Sequence, residues 1–317
     1  MGETLYIGID LGGTDIKGGL VATDGRIVYE TKMPTEADQG PDHVMDRMAQ
    51  LVGRLQDKTE LPVGGVGIGV PGQVLVDEGV LVEAPNLSGM DSIPVAKEME
   101  KRLSLPVILD NDANVAALGE FAFGAGKGVQ QMMMVTLGTG VGGGLILDGQ
   151  IFRGARGGAG EFGHTVVEAD GEVCGCGRQG CVEAYVGTMG LLNSVERRLK
   201  MKGTSSLSAI PRDERRPKDI SDAAEAGDEM AQTVLASAGH MLGVALGSVA
   251  NLLNLEKIVV GGGVAAAGER MLGPARVALS ETALKVSSDS VELVAAQLGN
   301  GAGLVGAAQL AMSAGEK

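Results

Sequence analysis

The sequence predicts an α/β protein built from two domains of common design that face each other across a cleft. Three observations carry that prediction. The chain has 317 residues, enough for two medium domains with a core each. A strand, Gly-rich turn, strand and hairpin turn occur near the N-terminus as YIGIDLGGTDIKGGLVATDG and again as MVTLGTGVGGGLILDG. Each copy is followed by a later strand ending in glycine, GVGIGVPG in one and KIVVGGGV in the other. Repetition in a fixed order is the mark of a duplicated unit. Chance recurrence is the competing explanation, because the chain has 52 glycines, about twice the usual share of ~7%.

The elements follow from periodicity and turn chemistry. Leu5–Asp10 reads as a buried strand, DLGGTDIKGG as a Gly-rich turn, and Leu20–Ala22 as the end of a second strand. Asp24-Gly25 is a hairpin turn before a third strand, Arg26–Thr31. Val44–Leu55 has helical spacing, and Val63–Val70 is a strand closed by Pro71-Gly72. In the second copy, Met132–Leu137 and Leu145–Leu147 are strands, Asp148-Gly149 is a turn, and Ile151 opens the next strand. Met230–Leu253 reads as a long amphipathic helix, Lys257–Val260 as a strand before Gly261-Gly262-Gly263, and Ala307–Ala314 as a terminal helix. Lys200–Lys218, polar and containing Pro211 and Pro217, reads as a surface excursion. The expected domains are 1–115 with the C-terminal helix 303–317, and 116–302.

The formal net charge of −14 argues against nucleic-acid binding, which needs a basic surface. Phosphate ligands stay open to it, since main-chain N–H groups, one lysine and a magnesium ion can hold them. No basic leader and no apolar run of ~20 residues is read from the sequence. A cytoplasmic protein without membrane contact is therefore expected, binding small molecules and assembling as a homodimer or higher homo-oligomer.

Four clusters carry chemistry. Asp10-Leu11-Gly12-Gly13-Thr14 with Lys17 puts an acid at a strand end, then two glycines and a hydroxyl. That suits a phosphate–Mg²⁺ site, with Asp10 orienting the metal's water; a plain hairpin turn is the alternative. Gly138-Thr139-Gly140 is the equivalent turn of the second copy. In Asp110-Asn111-Asp112-Ala113-Asn114 a strand gives way to a helix, so Asp112 is the candidate general base and Asn111 a candidate hydroxyl binder. Helix capping would use the same residue types. Last, His164, Cys174, Cys176 and Cys181 form a closed Cys₃His set suited to a structural tetrahedral zinc, with free thiols as the alternative. A framework of disulfides is a poor fit to three clustered cysteines. His43 and His240 receive no role, and the Met132–Met134 run reads as buried strand.

From Leu5 to the C-terminus the chain resembles the ROK family (repressors, open reading frames and sugar kinases). EFGH followed by CGCGRQGCVE carries most of that resemblance, supported by DLGGTDIKGG, APNL, DNDAN and VVGGGV in order. The resemblance implies a two-domain hexokinase/actin-like (ribonuclease H-like) fold and phosphoryl transfer from ATP, taken with Mg²⁺, to a sugar, glucose first. It implies Asp112 as base for the 6-hydroxyl, and sugar contacts from Asn86, Asn111, Glu161, His164 and Glu183. It places zinc on His164, Cys174, Cys176 and Cys181, phosphates near Gly12, Gly13, Thr14 and Gly138–Gly140, and adenosine near Gly261-Gly262. Phe162 and Leu255 stand where the family often has Ile or Leu, and Pro; neither has a chemical role. Other hexoses or acetamido sugars are alternative substrates. A sugar-sensing regulator is disfavoured because the first strand starts at Leu5, with no room before it for a winged helix. The zinc is expected to govern sugar affinity while leaving the nucleotide turns alone.

Overall fold

The computed structural model describes residues 3–84, 87, 89–201 and 203–315. The first copy of the repeat forms β1 (Leu5–Leu11), β2 (Asp15–Ala22), β3 (Ile27–Pro34), α1 (Pro41–Gln56) and β4 (Val63–Val70). A small pair, β5 (Gln73–Leu75) and β6 (Val80–Glu83), precedes α2 (Val95–Leu103), β7 (Val107–Asn111) and α3 (Asp112–Phe123). These strands make a sheet of order β3-β2-β1-β4-β7. β1 and β2, and β2 and β3, are antiparallel; β4 and β7 join in parallel.

The second copy repeats this plan. β8 (Met132–Leu137), β9 (Val141–Leu147) and β10 (Gln150–Ile151) lead to α4 (Glu183–Val186), α5 (Thr188–Lys200), α6 (Pro217–Glu225) and α7 (Glu229–Leu253). Then come β11 (Lys257–Gly261), α8 (Glu269–Thr282), α9 (Lys285–Ser290), β12 (Glu292–Ala295) and α10 (Ala302–Ala314). The sheet order is β10-β9-β8-β11-β12, with β8, β11 and β12 parallel. Strand for strand it matches the first sheet, so the repeat is a structural duplication.

Two compact units result. One holds the chain up to Gly128, Gly144–Gly160 and the chain from Gln297; the other holds Val129–Gly143 and Glu161–Ala296. These bounds differ from the expected 1–115 and 116–302, and α3 is the reason. Its Gly119 lies so close to Ala302 and Gly306 of α10 that a Cβ there would come within 2.6 Å of the Ala302 carbonyl oxygen. Gly144 in turn packs on Ala113 and Ala117 of α3. The whole helix and the residue 144–160 stretch therefore stay with the N-terminal sheet.

Alternation in β1 builds the first core. Leu5, Ile7, Ile9 and Leu11 are buried in one cluster with Met48, Leu51 and Leu55 of α1. Each such side chain contributes roughly 1.5–3 kcal/mol by leaving water. The opposite face carries Gly8, in register with Gly67 of β4. A Cβ on either would strike the α10 backbone at Leu304 or Ala307, so glycine here lets a helix of small residues lie directly on the sheet.

Contrary to the sequence reading, α7 is long and apolar enough, by length and composition, to cross a bilayer. Its apolar residues are instead spent on a protein core: Leu235, Ala238, Leu242, Leu246 and Ala250 are buried, and Gly239 and Gly243 sit against the α8 backbone.

Candidate functional site

The β1–β2 turn is anchored by its own sheet. Gly12 N–H donates to the Asp15 carbonyl at 3.0 Å. Thr35, fully buried just beyond β3, donates its hydroxyl to the Gly12 carbonyl at 2.6 Å and its N–H to the Thr14 carbonyl at 2.8 Å. Gly13 and Thr14 remain exposed. Asp10 faces Lys17 across the strand pair, 3.4 Å apart, and both keep solvent contact. An ion pair this open is weak, which leaves both groups free to serve a ligand.

Asp112 opens α3 immediately after β7. Asn111 is the N-cap: its Oδ1 accepts from the N–H groups of Ala113 and Asn114, and its Nδ2 donates to the Gly72 carbonyl at 3.0 Å. Capping is thus realised, but by Asn111, whose side chain also bonds to the Asp112 carboxylate. Asp112 Oδ1 accepts from Ala113 N–H at 2.8 Å, which aims the carboxylate. The side chain is solvent-accessible, while surrounding protein withholds enough water to raise its pKa to about 6; the negative charge of Asp10 pushes the same way. Behind it lies Asp110, 1% exposed, held by Arg153 at 2.7 Å and by Asn114 Nδ2 at 2.9 Å. No local pattern marks that support, because Arg153 is 43 residues away.

The Cys₃His set comes together as expected. The ligand atoms of His164, Cys174, Cys176 and Cys181 all lie within 4.8 Å of one another. Cys176 Sγ and Cys181 Sγ are 3.8 Å apart, as are Cys174 Sγ and His164 Nδ1. Zinc–sulfur bonds of ~2.3 Å give tetrahedral S···S edges of about 3.8 Å, so these residues fit the ion. Nδ1 of His164 turns to the thiols, which leaves Nε2 for another partner. The backbone N–H of Arg178 lowers the Cys176 thiol to about 6, whereas burial pushes Cys174 up to about 12.

The β8–β9 turn is anchored differently from the first. Val141 N–H donates to Glu183 Oε2 at 3.0 Å, and Glu183 Oε1 lies 3.3 Å from Cys174 Sγ. Thr188 donates both its N–H and its hydroxyl to the Gly138 carbonyl, at 3.0 and 2.8 Å. The stretch that follows the metal ligands therefore contacts the Gly138–Gly140 turn, which the sequence reading places apart from the metal loop. Glu161 is exposed at the start of the short turn that carries His164. Gly262, at φ +91, lies against the Leu137 backbone at the end of β8, so the Gly261-Gly262 pair borders the same turn. Asn86 lies outside the described residues.

The ROK family profile matches residues 6–314. The chain belongs to the ROK family. A glucokinase of Halalkalibacterium halodurans is 39% identical over 315 residues, covering 96% of this chain and 94% of that protein. An N-acetylmannosamine kinase of Shigella boydii is 33% identical over 312 residues, covering 98% and 99%. The crystal structure of a ROK glucokinase from Streptomyces griseus, in complex with glucose and AMPPNP, aligns with a TM-score of 0.84 at 37% identity, over 98% of this chain and 99% of that one. The duplicated α/β core is accordingly the hexokinase/actin-like fold of ROK sugar kinases.

Proposed function

We propose that this chain is an ATP-dependent sugar kinase that phosphorylates glucose at the 6-hydroxyl. Asp112 carries the reading: an accessible carboxylate, aimed by the Ala113 N–H at a strand-to-helix junction, with a raised pKa that still leaves it ionised at neutral pH. It takes the hydroxyl proton as that oxygen bonds to the γ-phosphorus. The bond from the γ-phosphorus to its bridging oxygen breaks, and ADP leaves. Such transfers depend on positioning and charge neutralisation. Gly13 and Thr14, with Thr139 and Gly140, offer main-chain N–H groups to the phosphates, and Gly12 and Gly138, their own N–H groups bonded within the turns, let the backbone come close. Lys17 adds positive charge, and Gly261 and Gly262 border the adenosine. Magnesium carried with the nucleotide would supply neutralisation of the phosphate charge, and Asp10 would hold its water. Glu161, His164 and Glu183 hold sugar hydroxyls, joined by Asn86 and Asn111.

Similarity along the whole chain to proteins named glucokinase supports glucose as substrate. The N-acetylmannosamine kinase at 33% identity supports an acetamido sugar as the second reading. A coupled ADP-release assay over glucose, fructose, mannose, N-acetylglucosamine and N-acetylmannosamine decides between them. Glucose is expected to give the highest kcat/KM; a tenfold preference for an acetamido sugar overturns that choice.

His164, Cys174, Cys176 and Cys181 would hold one structural zinc, and metal analysis should return about one zinc per chain, as for a closed four-ligand site. Reduced thiolates suit the cytoplasm, where we place the protein. We also assign it a homodimer or higher homo-oligomer. Leu252, Leu284 and Val286, all more than two-thirds exposed, lie on connected elements, since Asn251 bonds to the backbone of Thr282 and Leu284. Light scattering at micromolar concentration should give at least twice the monomer mass; a monomer would remove this assignment.

A further inference from the structure

We propose that the Cys₃His centre sets the conformation of the Gly138–Gly140 turn, and through it nucleotide affinity, with Glu183 and Thr188 as the positioning residues. The proposal rests on the reading of this turn as a phosphate site.

The route is short and stays within one compact unit. Cys181 is a ligand of the metal set, and Glu183 follows two residues later as the first residue of α4. One carboxylate oxygen meets the ligand Cys174 and the other accepts from Val141, the first residue after the turn. At the far end of α4, Gly187 approaches the Thr139 carbonyl, where a Cβ would stand 3.4 Å from the oxygen. Thr188 then fixes the Gly138 carbonyl with two donors. Gly163, next to the ligand His164, packs against the Val141 backbone. Both ends of the turn are thus held by one stretch, 181–188, whose own position depends on Cys181. A Cβ on Gly140 would come within 2.6 Å of Glu183 Oε2, so glycine there is matched to the carboxylate in this place.

Metal ligation ties His164, Cys174, Cys176 and Cys181 to one point. Without that tie the carboxylate loses its fixed seat, and the Val141 N–H and Gly138 carbonyl lose fixed partners. Ligands that act through a shared element must help each other by equal factors, so the coupling is measurable from either side.

The test uses the zinc-loaded full chain, a non-hydrolysable ATP analogue with magnesium, and a colorimetric zinc chelator. The analogue is expected to slow zinc release at least ~5-fold, and zinc-depleted protein to bind the analogue at least ~5-fold more weakly, the lower end of ordinary coupling factors. Thr188→Ala should weaken analogue binding and speed zinc release, with Thr188→Ser restoring both. The wild-type measurement stands even where a variant folds poorly. An unchanged zinc-release rate together with unchanged analogue affinity after zinc removal overturns the coupling. Gly138→Ala separates this from the underlying reading. A Cβ at Gly138 meets nothing within 4 Å, so a methyl there obstructs only an incoming ligand. If Gly138→Ala weakens analogue binding while zinc has no effect, the phosphate reading stands and the coupling falls. If Gly138→Ala binds the analogue normally, the phosphate reading falls, and the coupling to nucleotide with it.

Discussion

The two Gly-rich turns are copies of one design with different foundations. In both, a threonine hydroxyl holds the carbonyl of the first glycine, Thr35 on Gly12 and Thr188 on Gly138. Thr35 directly follows a strand of the sheet that carries its turn, is bonded to Thr14 as well, and is fully buried. Thr188 opens a helix that begins seven residues after a metal ligand, and the second turn also leans on Glu183. Duplication preserved the turn but not its support. One copy draws rigidity from strand pairing and the adjoining Thr35; the other draws it from a loop with few strands, where a metal substitutes for a core. The first turn should therefore ignore the metal and the second should not.

The largest expected effect sharpens this contrast on the metal-independent side. Asp112 shares its surroundings with Asp10 and the first turn. Asp112→Asn should lower kcat by at least ~10²-fold, the usual contribution of a general base, while zinc content and nucleotide affinity stay as they were. Near-normal turnover in steady-state kinetics would remove Asp112 from the chemistry.

Next in size is removal of the metal. Cys176→Ser, or chelation of the wild-type protein, should weaken both sugar and nucleotide binding in calorimetry. Loss of sugar affinity alone would restore the simpler view in which the zinc loop serves only Glu161, His164 and Glu183. Structural zinc supplies much of the folding free energy in small sites, so melting curves belong beside the binding data.

Acidity offers a third comparison. Asp112 must be ionised to accept a proton, and desolvation by the surrounding protein, with the Asp10 charge, raises it to about 6. kcat/KM should therefore fall tenfold per pH unit below about 6 and stay level above it. The sign for stability is opposite. A carboxyl raised above its ordinary value binds its proton more tightly in the folded state, so stability is lost as pH climbs through about 6. Asp112→Asn should abolish both the acid limb of activity and that slope in stability. A limb near pH 4 would mean that the carboxyl is not raised.

The smallest effects come from the threonines. Each mutation to alanine removes one hydroxyl bond worth about 1 kcal/mol. Thr35→Ala should lower the melting temperature without altering zinc release, whereas Thr188→Ala should alter zinc release. Equal behaviour of the two variants would erase the distinction between the turns.

Much of this was legible in the sequence, and the reasons for the rest are physical. The duplicated core was readable because Gly-rich turns and later strands recur with fixed order, and the metal set because all four ligands lie within 18 residues. Asp112 was readable from a strand ending where a helix begins. Thr35, Thr188 and Arg153 were not, since their partners lie 23, 50 and 43 residues away and no local pattern marks them. The two threonines also occupy different places in their copies, one after a third strand and one at a helix start, so aligning the repeats does not reveal them. Glu183 was read for the sugar alone because its bond to Val141 spans 42 residues. β12 escaped notice because Glu292–Ala295 is four residues long with no turn signal before it.

Amide hydrogen exchange at the two turns, with and without zinc, tests the contrast most directly. Gly12 N–H, bonded to the Asp15 carbonyl, reports on the first turn, and Val141 N–H, bonded to Glu183, on the second. Zinc removal should speed Val141 exchange by about tenfold or more, the effect of losing roughly one hydrogen bond, and leave Gly12 unchanged. Equal acceleration at both amides, or none at Val141, would contradict the account.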